Sequence, residues 1–235
     1  MKTIVAFSKI NLEKSVGYTY KAILFLGFFI VITSFSTQKE WKLEKSKNGI
    51  TVYSYVAEGE SLKQIKSHTI IKTSMASLIS TLNDVDGYKN WIYKCIISTK
   101  IKEINESKMI FYTVNDAPWP VLDRELYVHN NMFREEKTGI VYSISKPLPM
   151  DKMPLKKGKI RVNDFYGEWK FTPLKGGKIA VDYLLKLDPA GKLPNWLVNL
   201  TLEIGPYQTL LAFKDEVLKE KHQKAVFNYN YEPKN

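Results

Sequence analysis

"PNWLVNLTLEIGPYQTLLAFKDEVLKEKH", Pro194 to His222, is the stretch on which the fold turns. Leu197, Leu200, Ile204, Tyr207 and Leu211 recur at intervals of three and four, which predicts an amphipathic helix with one apolar face. Gly205-Pro206 lies inside the run and predicts a bend or a division into two helices, because proline brings no amide hydrogen to the helical ladder. A helix with one apolar face must bury it against another layer.

The remaining chain offers strands for that layer. "WKLEKSKNGITVYSYV", Trp41 to Val56, reads as two strands joined at Asn48-Gly49, a hairpin signal, and Leu62 to Lys72 reads as a third. The period then changes. Thr73 or Ser74 caps a helix carrying Met75, Leu78, Ile79 and Leu82, which ends before Gly87, and a short helical turn with Tyr88 and Trp91 follows. From Cys95 the pattern is strand after strand: 95–104, 108–115, 121–133, 139–146, 159–172 and 178–188. Within 159–172 the apolar parity switches from Ile160 and Val162 to Phe165, Trp169 and Phe171, which predicts a bulge between Asp164 and Gly167. Strands and a short helix, a six-strand meander and one long helix predict an α+β helix-grip fold, a curved antiparallel sheet with the last helix laid across its concave side. Residues 37–223 are expected to form this one domain, and 224–235 a surface extension.

Composition agrees with a globular chain: 44% of residues are apolar and 25% charged. The net charge of +11 admits nucleic acid, acidic membranes or acidic ligands as partners. Lysines are spread along the chain without zinc-finger spacing, an RNP-like aromatic motif or a basic arm, so no nucleic-acid partner is expected. Cys95 is the only cysteine and excludes an intramolecular disulfide.

The first 36 residues carry Lys2, Lys9, Lys14 and Lys21 ahead of an apolar run, Ala22 to Phe35, with Ser34 and Ser36 at the positions a signal peptidase reads. The length of the run suits a signal peptide, whose apolar region spans about 7–15 residues, better than a bilayer span of roughly 18 or more. Export with cleavage after Ser36 is expected, the alternative being an uncleaved membrane anchor over residues 22–35. Cleavage would leave a basic domain of net charge +8 in the periplasm or outside the cell.

Several landmarks carry a resemblance. Trp41, Gly49-Ile50 with Val52-Tyr53, Trp91, Pro118-Trp119-Pro120 with Arg124, Trp169 with Pro173, Asp188-Pro189, and "PNWLVN" with Pro206 together resemble START (StAR-related lipid-transfer) domains, bacterial ones especially. The resemblance implies one hydrophobic ligand, a sterol, phospholipid or other lipid, held in a cavity between sheet and final helix for transport or sensing. No cofactor is expected, and the chain is expected to act as a monomer.

The residues place the cavity and its mouth. On the strand after Pro120, Arg124, Leu126, Val128, Asn130 and Met132 share one face, with Asn130 the lone polar candidate for a ligand headgroup; on the last strand Val181, Tyr183, Leu185 and Leu187 match it. Leu200, Ile204, Tyr207 and Leu211 of the final helix are expected to close the cavity. Strands 108–115, 139–146 and 178–188 run the same way, so the loops leaving them gather at one end. Those loops carry Trp119, Leu148, Met150, Met153 and Trp196 beside Lys156 and Lys157, a collar fit for transient contact with a membrane surface.

Nothing points to catalysis. Asp123, Arg124 and Glu125 alternate in direction and cannot converge by themselves; an ion pair through Arg124 is the expected role. His68, His129 and His222 show no ligand spacing, so no metal is expected, and no GxSxG, GxGxxG or GxxxxGK pattern occurs. The alternative function is a helix-grip enzyme of the aromatase/cyclase type, for which Tyr183, Tyr112 and Asn130 would be the polar groups.

Overall fold

Asn48 and Gly49 both hold positive φ, 55° and 70°, the pair of left-handed conformations that closes a two-residue hairpin between β1 (Lys42–Lys47) and β2 (Ile50–Val56). The computed structural model describes residues 40–149, 154 and 156–226; the expected signal segment, Met150 and Met153 of the collar and nearly all of the C-terminal extension lie outside the described residues. β3 (Lys63–Lys72) alternates buried and half-exposed side chains, with Ile65, Ser67, Thr69 and Ile71 inward. Ser74 caps α1 (Met75–Asn83), its hydroxyl accepting from the Ser77 amide at 3.0 Å, and a 3-10 turn at Val85–Asn90 follows.

The meander runs β4 (Cys95–Asn105), β5 (Lys108–Asn115), β6 (Asp123–Arg134), β7 (Val141–Pro147), β8 (Lys159–Arg161), β9 (Asp164–Leu174) and β10 (Lys178–Asp188). Among the described residues ten strands form one curved sheet, nine of them in the order β1-β2-β3-β10-β9-β7-β6-β5-β4, antiparallel throughout that path, so β3 and β10 join the two halves. β8 stands off the path and pairs parallel with β6, matching Arg124 to Ile160.

That pairing corrects the expected bulge in 159–172. β9 pairs with β10 in unbroken register from Asp164 to Leu174. The change of apolar parity marks two strands with different partners: Ile160 and Val162 follow β6, with the Val162 amide donating to the Glu125 carbonyl at 3.0 Å, while Phe165, Trp169 and Phe171 follow β10.

After β10 the described residues form two helices, α2 (Asn195–Glu216) and α3 (Glu220–Gln223). Gly205-Pro206 does not divide α2; the chain breaks only after Glu216. Tertiary bonds hold the helix on both sides of the proline. Asn199 accepts from the Lys63 amide at 3.0 Å and donates to the Ser61 carbonyl at 3.2 Å, and Glu203 pairs with the Lys63 ammonium; beyond Pro206, the Tyr207 hydroxyl accepts from Asn48 at 3.1 Å and Lys214 donates to the Asn48 carbonyl at 3.0 Å.

The buried stripe of α2 is also shifted from the expected one. Val198, Leu202, Leu210 and Phe213 are inward together with the expected Tyr207; Leu197 and Leu211 are half-buried, and Ile204 is 38% exposed. Trp196, Leu197, Val198, Leu200, Leu202 and Ile204 are apolar around most of the helix, so periodicity alone does not select a face. Phe213 packs on Trp91 and Trp169, with ring centroids 5.0 and 4.8 Å away, and this aromatic group joins α2 to the sheet and to the 3-10 turn.

Candidate functional site

Beside that aromatic group, toward the N-terminal half of α2, packing stops and a cavity of about 290 Å³ opens. Its walls come from β5, β6, β7, β9 and β10, from Tyr88 and Trp91, and from Leu197, Val198, Thr201, Leu202, Gly205, Pro206 and Thr209 of α2. The alternation of β6 sends Arg124, Leu126, Val128 and Asn130 to the wall, and that of β10 sends Tyr183, Leu185 and Leu187. Met132, Val181, Ile204, Tyr207 and Leu211 stand outside the lining. Met132 and Val181 are core residues farther along the same strand faces, and Tyr207 lies beneath the Lys45 ammonium, 3.8 Å from its ring centre. The side chain of Leu200 is outside what the structure describes.

The wall is mostly apolar, and its buried polar groups are neutral except for Arg124. Asn130, 3% exposed, donates from Nδ2 to Ser143 Oγ at 2.9 Å, Ser145 Oγ at 3.0 Å and the Ile144 carbonyl at 3.3 Å. Its amide oxygen has no partner among the described residues. Tyr183 stacks on Trp169 with centroids 4.4 Å apart, burial raises its phenol above the ordinary range, and its hydroxyl likewise has no partner among the described residues. Trp169 is thus both core and wall.

Three charged side chains line the cavity: Lys94, Asp116 and Arg124. Lys94 and Asp116 pair at 2.7 Å on the surface. Arg124 is 7% exposed and, among the described residues, makes no ion-pair contact, though the Asp123 charge favours its charged form; its guanidinium donates to the carbonyls of Pro189 at 3.1 Å, Ala190 at 3.2 Å and Leu122. Burial lowers its pKa. The expected ion pair is replaced by a staple between the β5–β6 loop and the β10–α2 loop. Gly191, at φ 78°, passes so close that an added Cβ would meet Ile160 at 3.1 Å and the Arg124 guanidinium at 3.7 Å.

Of the collar residues, Trp119 is 92% exposed on the β5–β6 loop and Trp196 68% exposed in the first turn of α2, just after the β10–α2 loop. Leu148 and Lys156 turn instead to the opposite face of the sheet. There Leu148 packs on Tyr112, Val114 and Tyr127, and the Lys156 ammonium sits 4.1 Å from the centre of the Tyr112 ring, while Lys157 is exposed.

That opposite face holds a cluster absent from the sequence reading. Glu125, fully buried, accepts from Arg161 Nη2 at 2.7 Å and Nε at 3.0 Å, and from the Tyr112 hydroxyl at 3.0 Å. Only the parallel pairing of β8 brings Arg161 beside Glu125, so their spacing in sequence carried no signal.

A model of the START domain matches residues 34–208. The chain belongs to the START domain family. An uncharacterised protein of Pseudomonas aeruginosa is 32% identical over 183 residues, 77% of this chain and 88% of that one. The phosphatidylcholine transfer protein of Rattus norvegicus is 24% identical over 179 residues, 72% of this START domain chain and 79% of the relative. Among solved structures, a STAR-related lipid transfer protein from Xanthomonas axonopodis superposes with a TM-score of 0.70 at 28% identity, covering 76% of this chain and 99% of that one. Human STARD10, 19% identical with a TM-score of 0.68 over 83% of this chain and 80% of its own, shares the START fold.

Proposed function

We propose that the protein binds one hydrophobic lipid-like molecule in the cavity under α2 and carries or senses it at a membrane surface. The observation that carries this reading is the cavity itself, about 290 Å³ between sheet and helix with mostly apolar walls and buried polar groups that, Arg124 apart, are neutral. Pockets for small ligands share that make-up and span roughly 300–1,000 Å³, so the cavity suits a single acyl chain or a compact polycycle. Asn130 and Tyr183 would receive a hydroxyl or carbonyl of the ligand, and Trp119 and Trp196 would enter the lipid headgroup layer.

Transfer needs a door, and the loops stapled by Arg124 fit that role, since loops and element ends absorb such movement. Export of the domain after removal of residues 1–36 would put it where envelope lipids are exchanged. No helix among the described residues is long and apolar enough to cross a membrane.

Organic extraction of purified protein followed by mass spectrometry tests the reading, with about one hydrophobic molecule per chain expected. A clean protein that also refuses fluorescent phosphatidylcholine, fatty acids and sterols would sink it. The mass of the native protein tests export: loss of 1–36 supports cleavage, and a full-length species extracted from membranes supports an anchor.

A further inference from the structure

We propose that Asp84, Glu216 and His222 form a divalent-cation site, suited to zinc, that fastens the end of the lid helix to α1. The three residues come from three places: Asp84 follows α1, Glu216 is the last residue of α2 and His222 lies in α3. One donor atom from each lies within 4.8 Å of the other two. His222 Nε2 is 3.5 Å from Glu216 Oε1 and 3.9 Å from Asp84 Oδ2. Zinc bonds of about 2.0–2.2 Å put tetrahedral neighbours about 3.3–3.6 Å apart, and the two distances from His222 Nε2 are within a few tenths of an ångström of that spacing.

Two of the donors are buried without a hydrogen bond among the described residues. Glu216 is 3% and His222 2% exposed, and Oε1 of the one and Nε2 of the other face each other unbonded. Buried polar atoms in folded proteins are almost always satisfied, so a pair left open toward the same point indicates a missing third group.

Each ligand is also held from behind. Ser80 Oγ lies 2.9 Å from His222 Nδ1; with the imidazole hydrogen on Nδ1, the Nε2 lone pair is left facing the carboxylates, as in metal-bound histidines. Lys219 holds Glu216 Oε2 at 2.6 Å.

Lys221 is the competitor. Its ammonium lies 2.6 Å from Asp84 Oδ2 and 3.2 Å from Glu216 Oε1, the latter outside hydrogen-bond geometry. Positive charge is therefore already drawn to this point. Lys221 is 49% exposed and can turn into water when a cation arrives, leaving two carboxylates and one imidazole, whose charge matches a divalent ion. The histidine spacing that excludes a metal in the sequence is no guide here, because the other ligands lie 138 residues upstream and six residues before His222.

The test is zinc titration of the metal-stripped full-length chain against a chromogenic chelator, with thermal melting alongside. One zinc per chain and a higher melting temperature are expected. D84N and H222Q should each lower affinity about tenfold or more, and K221M should raise it several-fold by removing the competing ammonium. D84N and K221M alter side chains with solvent contact and keep the comparison usable if H222Q does not fold. Zinc binding that D84N leaves unchanged, no gain in K221M, or no stoichiometric binding by any form overturns the site.

Discussion

Arg124 donates to the Pro189 carbonyl across 3.1 Å, and with its bonds to Ala190 and Leu122 it joins two loops that begin and end different strands. A buried guanidinium whose hydrogen bonds go to carbonyls, with no carboxylate oxygen in ion-pair contact among the described residues, is held by geometry more than by charge. R124A should lower stability by about 2 kcal/mol, since hydrogen bonds to charged groups contribute about 1.5–3 kcal/mol. It should also speed release of a fluorescent lipid into vesicles. R124K keeps the charge but lacks the planar fork, and is expected to behave like R124A. Slower release from R124A would place the door elsewhere on the sheet.

Y183F removes one hydroxyl and leaves the stacking on Trp169 intact. Affinity for a ligand bearing a hydroxyl or carbonyl should fall about fivefold, corresponding to a net hydrogen bond of about 1 kcal/mol, with little change in melting temperature. Fluorescence titration of wild type and variant measures the difference. Equal affinities would assign the polar end of the ligand to Asn130 or to the rim.

The two exposed tryptophans separate membrane contact from ligand holding. W119S and W196S remove side chains that are 92% and 68% exposed, so stability should stay within about 0.5 kcal/mol of wild type. Transfer between anionic vesicles should slow severalfold while affinity in solution is unchanged. A fall in affinity matching the fall in rate would mean that these rings touch the ligand.

Burial pushes the Cys95 thiol from 9.0 up to about 11. A raised pKa in the folded state contributes stability below pH 9 that is lost as pH climbs through 11. Iodoacetamide at pH 8 should leave the native protein unmodified and label it once in denaturant, and a C95S variant should lose stability less steeply above pH 9. Rapid native labelling at pH 8 would show that the thiol is open to solvent.

Lys63 ties the lid to the sheet, since its ammonium pairs with Glu203 of α2 and lies 3.3 Å from Glu44 of β1. Ser54, at 2.7 Å, and the lysines around Glu44 hold that carboxyl below its ordinary range, against the effect of its own burial. A depressed carboxylate contributes stability above pH 4.5 that is lost as pH falls below it. Wild type should therefore lose stability on acidification more steeply than E44Q, as read by urea unfolding at pH 6 and pH 3.5. Parallel pH profiles would show that the network contributes nothing to the fold.

What the sequence determined by itself is the content of each layer and the order of the layers. Alternation along β6 and β10 placed Leu126, Val128, Asn130, Tyr183 and Leu185 on one side of a sheet, and that side is the cavity wall, because the period of a strand depends on the backbone alone. Asn48-Gly49 specified its hairpin for the same local reason. Tertiary structure decided everything that needed a partner from far along the chain. The inward face of α2 was settled by Phe213 meeting Trp91 and Trp169, where the helix's own apolar residues allowed more than one face. β8 chose β6, which buried Glu125 with Arg161, and α3 returned to α1, which brought His222 to Asp84. Local periodicity records which side of an element is apolar; it holds no information about which distant residue will stand opposite, and polar side chains take their roles from that neighbour.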